Sequence, residues 1–202
     1  MAWRFFTAGG VAQTGEYGEL AANAVTSAKI LDGTIVNADI AAATITNAKL
    51  ATPGIVVQMV NTQTGAMTTG ATQLPYDNSI PQNGEGDEYM TLAITPKNAA
   101  NILVIEVVWF GSTNAPNNLS VALFVGSTAA ALAATQVVIP TANYGATLPL
   151  THKVTAGVTT GLTFKVRAGG EVSGTTTFNG SAAARRFGGV ASSSMTITEY
   201  TP

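Results

Sequence analysis

Residues 25–50 read VTSAKILDGTIVNADIAAATITNAKL. Within them VTSAKI, IVNADI and ITNAKL begin at positions 25, 35 and 45, a repeat of ten. Ala28, Ala38 and Ala48 hold one column, and Lys29, Asp39 and Lys49 alternate in charge in the next. Branched aliphatic residues fall at half that interval, at Leu20, Val25, Ile30, Ile35, Ile40, Ile45 and Leu50. A spacing of five matches neither the three-to-four spacing of an amphipathic helix nor the alternation of a half-buried strand. It suits a chain that turns every few residues and returns one side chain per turn to a common axis. Repetition at a fixed period marks small units that cannot bury an apolar face singly. Seven aliphatic side chains are too few to offset an ordering cost of about 1–2 kcal/mol per residue. Three chains around one axis would triple the column and shield it, so residues 20–52 are expected to form an intertwined trimeric β-repeat shaft with those seven residues as its core.

Outward from the repeat, the chain changes character on both sides. Residues 1–19 hold the densest aromatic cluster, Trp3, Arg4, Phe5 and Phe6, followed by Gly9, Gly10, Gly15 and Gly18. Such a segment has too little apolar content for a core, but Trp, Phe and Arg are interface residue types. The expectation is an anchor docking on another protein. On the other side Pro53 and Gly54 break the repeat, and from Ile55 the period becomes two. Strands are predicted at residues 54–60, 88–95, 101–110, 118–125, 147–154, 161–168 and 193–200. In 88–95, Met90, Leu92 and Ile94 point inward. In 161–168, Leu162, Phe164 and Val166 oppose Thr163, Lys165 and Arg167. Residues 101–110, NILVIEVVWF, are apolar on both faces except at Glu106, which predicts a central strand covered twice. Residues 129–134 read as strand and loop. Seven or more short strands over residues 53–202 imply an antiparallel β-sandwich of jelly-roll type, and hence an all-β protein.

Composition agrees. Of 202 residues only 10% are charged and 7% aromatic, while 46% are apolar; a typical domain is roughly 25% charged. Sparse charge beside a long aliphatic column suggests surface buried between subunits. A net charge of -2 gives no reason to expect nucleic acid or an anionic membrane. There is no Cys, hence no thiolate chemistry. Residues 1–10 lack the apolar run of a secretory signal, and no stretch of about 18 apolar residues predicts membrane insertion.

No constellation predicts catalysis, a cofactor or a metal. His152, the one histidine, lies in a predicted strand and reads as a polar surface or interface residue. Residues 188–194 are Gly- and Ser-rich but lack the GK[ST] element of a phosphate loop. Glu85, Asp87 and Glu88 have neither the spacing nor the length of a calcium-binding loop and read as a solvated turn. Neither Glu106 nor Glu171 has a spacing that pairs it with them for sugar hydrolysis. If Arg186 begins a strand, Arg185 and Arg186 face opposite ways and make no single basic patch. Loops at residues 61–82 and 114–118 are rich in Thr and Asn, and Tyr76 and Tyr144 offer rings with polar tips suited to a host-surface glycan.

Two resemblances follow from these residues. The aromatic N-terminus, the repeats ending in AKI, ADI and AKL, and the terminal RRFGGVASSSMTITEY (residues 185–200) resemble bacteriophage fibre and spike proteins. Residues 186–200 are similar to the closing strand of small trimeric knobs in such fibres, whose sandwich resembles the tumour-necrosis-factor and C1q type. The likeness implies a virion component of three chains: an N-terminal attachment to capsid or tail and portal proteins, a thin shaft, and a distal knob. It leaves open whether head or tail carries the fibre. The repeat also resembles the pentapeptide-repeat family, a single-chain four-sided coil, with Ala28, Ala38 and Ala48 two positions before the aliphatic residue. Seven pentads would give less than two such coils.

Overall fold

The computed structural model describes residues 25–42, 44–45 and 53–202. The chain divides into two units, residues 1–50 and 51–202.

In the first unit the rhythm of the sequence becomes a rhythm of turns. The backbone carbonyls of Thr26, Leu31, Val36 and Ala41 each accept a hydrogen bond from the N–H three residues on, at 2.9, 3.1, 2.9 and 3.2 Å. The acceptors stand five residues apart, one turn per pentad. Alternate turns are short 3-10 segments, Ser27–Lys29 and Asn37–Asp39. The intervening ones are closed by threonine: Thr34 Oγ1 and Thr44 Oγ1 donate to Leu31 O and Ala41 O, both at 2.6 Å. Asp39 Oδ2 accepts from Val36 N. The ten-residue period is thus the alternation of two turn chemistries. Gly33 takes φ +81 in one turn, where a side chain would be strained. Ile30, between turns, is extended.

None of this buries the aliphatic column. Val25, Ile30, Ile35, Ile40 and Ile45 are 40–55% exposed, and Leu31 is 75% exposed. Leu20 and Leu50 lie outside the described residues, as do Trp3, Arg4, Phe5 and Phe6. Local hydrogen bonds set the turns; nothing within the described part of the unit covers its apolar side chains.

The second unit is built from twelve strands: β1 (Val56–Thr64), β2 (Thr68–Gly70), β3 (Asp87–Ile94), β4 (Ile102–Thr113), β5 (Asn117–Val125), β6 (Ala133–Ile139), β7 (Ala146–Thr155), β8 (Leu162–Gly170), β9 (Thr176–Phe178), β10 (Gly180–Ser181), β11 (Ala184–Arg185) and β12 (Ser193–Tyr200). All pairings are antiparallel. One sheet runs β1-β12-β4-β7, with β9 and β2 continuing the rows of β12 and β1 along the far end of β4. The other runs β3-β8-β5-β6. Taking the eight long strands in chain order, the sheets read 1-8-3-6 and 2-7-4-5, the double Greek key of a jelly roll. Between them Leu103, Ile105, Val107 and Trp109 of β4 meet Leu119, Val121 and Leu123 of β5, Phe164 and Val166 of β8, and Met195 and Ile197 of β12. Every one sits at the alternating inward position. Tyr89, Trp109 and Phe178 form an aromatic cluster with ring centroids 5.1–5.9 Å apart. Burial, with Asp87 adding to it, pushes the Tyr89 phenol above its ordinary pKa.

Several expectations need correction. Residues 61–64 continue β1 and 68–70 form β2, so the predicted loop at 61–82 is shorter; Asn117 and Asn118 belong to β5. By contrast residues 129–134 are strand and loop as expected, 129–132 preceding β6 and 133–134 opening it, though the full strand to Ile139 was not predicted. Arg186 does not open the closing strand, which begins at Ser193. β4 is covered on one face: Ile102, Val104 and Phe110 are half-buried, and Glu106 and Val108 are exposed on the other.

Two polar nodes hold the first sheet. Where β12 ends and β9 takes its place, Asn179 sits fully buried at φ +51. Its Nδ2 donates to Thr64 O and Ala66 O, across the break between β1 and β2. Its Oδ1 accepts from Ser193 Oγ, which in turn accepts from Phe110 N. One side chain thereby bridges two interrupted rows. At the opposite end Glu199 is fully buried and accepts from Asn101 Nδ2, Gln58 Nε2 and the N–H groups of Lys97 and Asn98. Burial alone would raise this carboxyl, but the four sets of donors outweigh it and hold the pKa below its ordinary value.

Candidate functional site

The outward residues of β5 carry a second, smaller apolar cluster. Ala122 and Phe124 are covered by Leu74, with Ala131 packed at the side. Leu74 belongs to residues 71–86, a segment that crosses the outer face of the second sheet. It is tied at both ends: Leu74 N donates to Gly170 O at 3.0 Å, Gly86 N to Gln73 O at 2.7 Å, and Ala131 N to Pro81 O at 2.9 Å. Thr72 caps Asp87 through both N–H and hydroxyl, at 2.9 and 2.8 Å.

Between this cover and the sheet lies a cleft of about 200 Å³. Pro75, Tyr76, Asp77 and Ser79 line the cover side; Ser120 of β5 and Gln136 of β6 line the sheet side. Ser120 and Gln136 are directly paired across the strands, so their side chains share the outward face. Asp77 Oδ1 accepts from both the hydroxyl and the N–H of Ser79, a turn that the sequence Asp-Asn-Ser favours. These bonds hold the Asp77 carboxyl below its ordinary pKa. Gln136 Oε1 is buried and has no hydrogen-bond partner among the described residues. Tyr76 is 53% exposed. The cleft is therefore rimmed by an aromatic ring and an exposed, ionised carboxylate and floored by Ser120 and Gln136, whose amide oxygen is buried away from the opening.

Of the two tyrosines singled out by sequence, Tyr76 lines this cleft and Tyr144 does not. Tyr144 is exposed in the turn before β7. Gln136 and Ser120 gave no signal in the sequence, because their place depends on a segment more than thirty positions away. His152 is half-buried in β7, opposite Ile105 of β4. The three carboxylates near residue 86 are engaged separately: Glu85 with Gln82 N, Asp87 with Thr72, and Glu88 with Lys165 and Arg167 at 3.1 and 3.6 Å. Arg167 also donates to the carbonyls of Glu85 and Gly86. Glu171 accepts from Asn118 Nδ2, while Glu106 stands on the exposed face of β4. Arg185 ends β11 and reaches Gly188 O.

A second surface is the outer face of the first sheet. Its cross-strand register places Met59, Thr198, Val104 and Lys153 in one row, Asn61, Thr196, Glu106 and Thr151 in the next, and Gln63, Ser194, Val108 and Pro149 in a third. Met59 is 65% and Val108 43% exposed.

No family model matches the sequence, and no curated protein is similar to it. Solved structures with a partial likeness include dimeric latent PorU from Porphyromonas gingivalis, 7% identical with a TM-score of 0.35, covering 75% of this chain and 14% of that one. The infectious bursal disease virus Gx strain structure is 13% identical with a TM-score of 0.35, covering 71% and 36%. The enzymatically active domain of bacteriophage CBA120 tailspike protein 4 is 18% identical with a TM-score of 0.27, covering 61% and 19%. The chain thus spans well under half the length of each of these, and likenesses this distant assign neither family nor activity.

Proposed function

We propose that this chain is a non-enzymatic structural subunit of a virus particle, a homotrimeric fibre whose N-terminal residues 1–19 dock on capsid or tail proteins and whose residues 53–202 form the knob. The observation that carries this reading is the first unit's combination of one hydrogen-bonded turn per five residues with an aliphatic column left 40–55% exposed. Each aliphatic side chain taken out of water contributes roughly 1.5–3 kcal/mol, a gain that this unit obtains by sharing the column with other copies. The uncovered outer face of the first sheet, with Val108 of β4 and Met59 of β1 exposed, offers a further surface for the same copies. The resemblance of the repeat and of residues 185–200 to phage fibres supports the virion assignment and a role in host adsorption.

The turn-per-pentad geometry also suits the single-chain pentapeptide coil. Sedimentation equilibrium on the full chain separates the two. The fibre reading expects a trimer at micromolar concentration, with residues 20–50 resistant to protease only in that state. A compact monomer, protease-resistant through residue 50, overturns it in favour of the coil.

A further inference from the structure

We propose that Asn83 and Gly84 form a site of spontaneous deamidation, and that the acid formed there releases the segment crossing the outer face of the second sheet. The dipeptide Asn-Gly occurs twice, at residues 83–84 and 179–180, and the fold treats the two oppositely. Asn179 is fully buried with both amide atoms engaged. Gly180 is required where it stands, since a Cβ would lie 2.4 Å from Ala184 O. Asn83 and Gly84 are both exposed, at the centre of a turn closed by Glu85 N donating to Gln82 O at 2.9 Å. A Cβ on Gly84 would meet nothing within 4 Å, and its φ is not left-handed, so neither space nor conformation demands glycine. What the missing side chain does supply is an unshielded backbone nitrogen beside the Asn83 amide. In the step, Gly84 N bonds to Asn83 Cγ and the side-chain nitrogen leaves as ammonia, taking the Gly84 proton. Water, the one co-reactant, then opens the five-membered imide at either carbonyl and leaves an aspartate or an isoaspartate at position 83. The attack is intramolecular, and opening an exposed turn costs little, whereas Asn179 reacts only if its buried node opens. The product matters because of what the amide holds. Asn83 Nδ2 donates to Ser127 O and Thr128 O at 3.3 and 3.2 Å. The backbone beside it pairs with the turn before β6, through Asn83 N to Ala129 O and Ala131 N to Pro81 O, at 2.8 and 2.9 Å. A carboxylate there would turn acceptors onto two carbonyls, and the iso form would add a methylene to the main chain inside the turn. Both loosen the tie that keeps Leu74 over Ala122 and Phe124. The small outer cluster is thereby uncovered while the main core stays closed, a one-way release set by time and alkalinity. It does not depend on the oligomeric state, so its failure leaves the fibre reading standing, and the reverse also holds.

Peptide mapping by mass spectrometry on the full chain, after timed incubation in warm, mildly alkaline buffer, tests it, with isoaspartate read by isoaspartyl methyltransferase labelling. Asn83 is expected to lose its amide progressively while Asn179 in the same sample keeps its own. In urea both should react, because both precede glycine. Gly84→Ala should slow the loss at Asn83 several-fold without moving the thermal melt, since its Cβ meets open space. Hydrogen exchange reads the consequence. The aged chain and Asn83→Asp should both exchange faster at the amides of Leu74, Gly86 and Ala131, which tie the segment down, with exchange in β4 and β12 unchanged. Retention of the Asn83 amide in the folded chain, equal loss at Asn179, or unchanged exchange at the tying amides overturns the proposal.

Discussion

The two units solve the same problem in opposite ways. Residues 53–202 alternate apolar and polar side chains with period two, so every strand has an inside, and the chain supplies that inside itself: Trp109, Leu103, Ile105, Met195 and Ile197 have no exposed area. Residues 25–45 place an aliphatic residue every five positions, and a turn closes at the same interval, yet each of those side chains remains in water within the described chain. Satisfied hydrogen bonds and a buried core are therefore separable. The first unit achieves one, the second achieves both. Local polar bonds contribute little net stability, so a segment with only the former requires something beyond itself.

The largest expected effect breaks this contrast outright. Changing Ile30, Ile35 and Ile40 together to Asp should abolish protease protection of residues 20–50 in the proposed trimer while leaving the thermal unfolding of residues 53–202 in place; a joint collapse would mean that the units are not independent. Next, Trp109→Ala should destabilise the sandwich by about 3–5 kcal/mol, read as a fall in the urea midpoint, with the turns of the repeat untouched. Asn179→Ala removes the Nδ2 bonds to Thr64 O and Ala66 O and the acceptor of the Ser193 hydroxyl, and leaves a positive φ with no polar side chain to support it. A loss of roughly 3 kcal/mol is expected, and Ser193→Ala should cost less because it severs two bonds rather than three and leaves the Nδ2 bonds across β1 and β2 in place.

A smaller effect concerns acid. The folded-state pKa of Glu199 is depressed, so its contribution is complete above its unfolded value, near 4.5, and drains away as pH falls through the lower folded value. The urea midpoint of the sandwich should therefore decline as pH falls below about 4.5. Glu199→Gln should lower the plateau and flatten that decline; an unchanged slope would assign the acid sensitivity elsewhere. Smallest of all, Thr34→Ala and Thr44→Ala remove the exposed hydroxyl bonds to Leu31 O and Ala41 O, worth about 0.5 kcal/mol apiece, and should loosen the repeat only when combined, seen as faster amide exchange at residues 34 and 44.

Much of this molecule was legible in the sequence because alternation is a local signal. β3, β5, β7, β8 and β12 fall within a residue or so of where alternation predicts them, and the five-residue rhythm foretold the turns. What escaped has physical causes. β6 is half alanine at its start, too small to register as a strand. β2, β9, β10 and β11 are two or three residues long: β9 exists because β4 overruns β12 and offers free backbone groups at Gly111, Ser112 and Thr113, β2 adds to β9, and β10 and β11 pair with each other. Gly111 itself is required there, since a Cβ would stand 2.4 Å from both Thr177 O and the Trp109 ring. NILVIEVVWF reads as doubly buried, but hydropathy reports the wish for a cover and not which chain provides it. Tyr76 was identifiable by residue type; Gln136 was not, because only the crossing of residues 71–86 over β5 and β6 makes it part of a recess.

The Asn179 node has a consequence for how the protein can vary. The chain leaves it at residue 180 and returns to it at Ser193, whose hydroxyl closes the same knot. Between these points Phe187 and Val190 are 81% exposed, and the excursion is stitched shut at its base. The tip around Phe187 and Val190 is an exchangeable cassette, free to drift or to be replaced by a foreign peptide for display, while the buried base, where Ser181 Oγ donates to Asn143 O, keeps its residues.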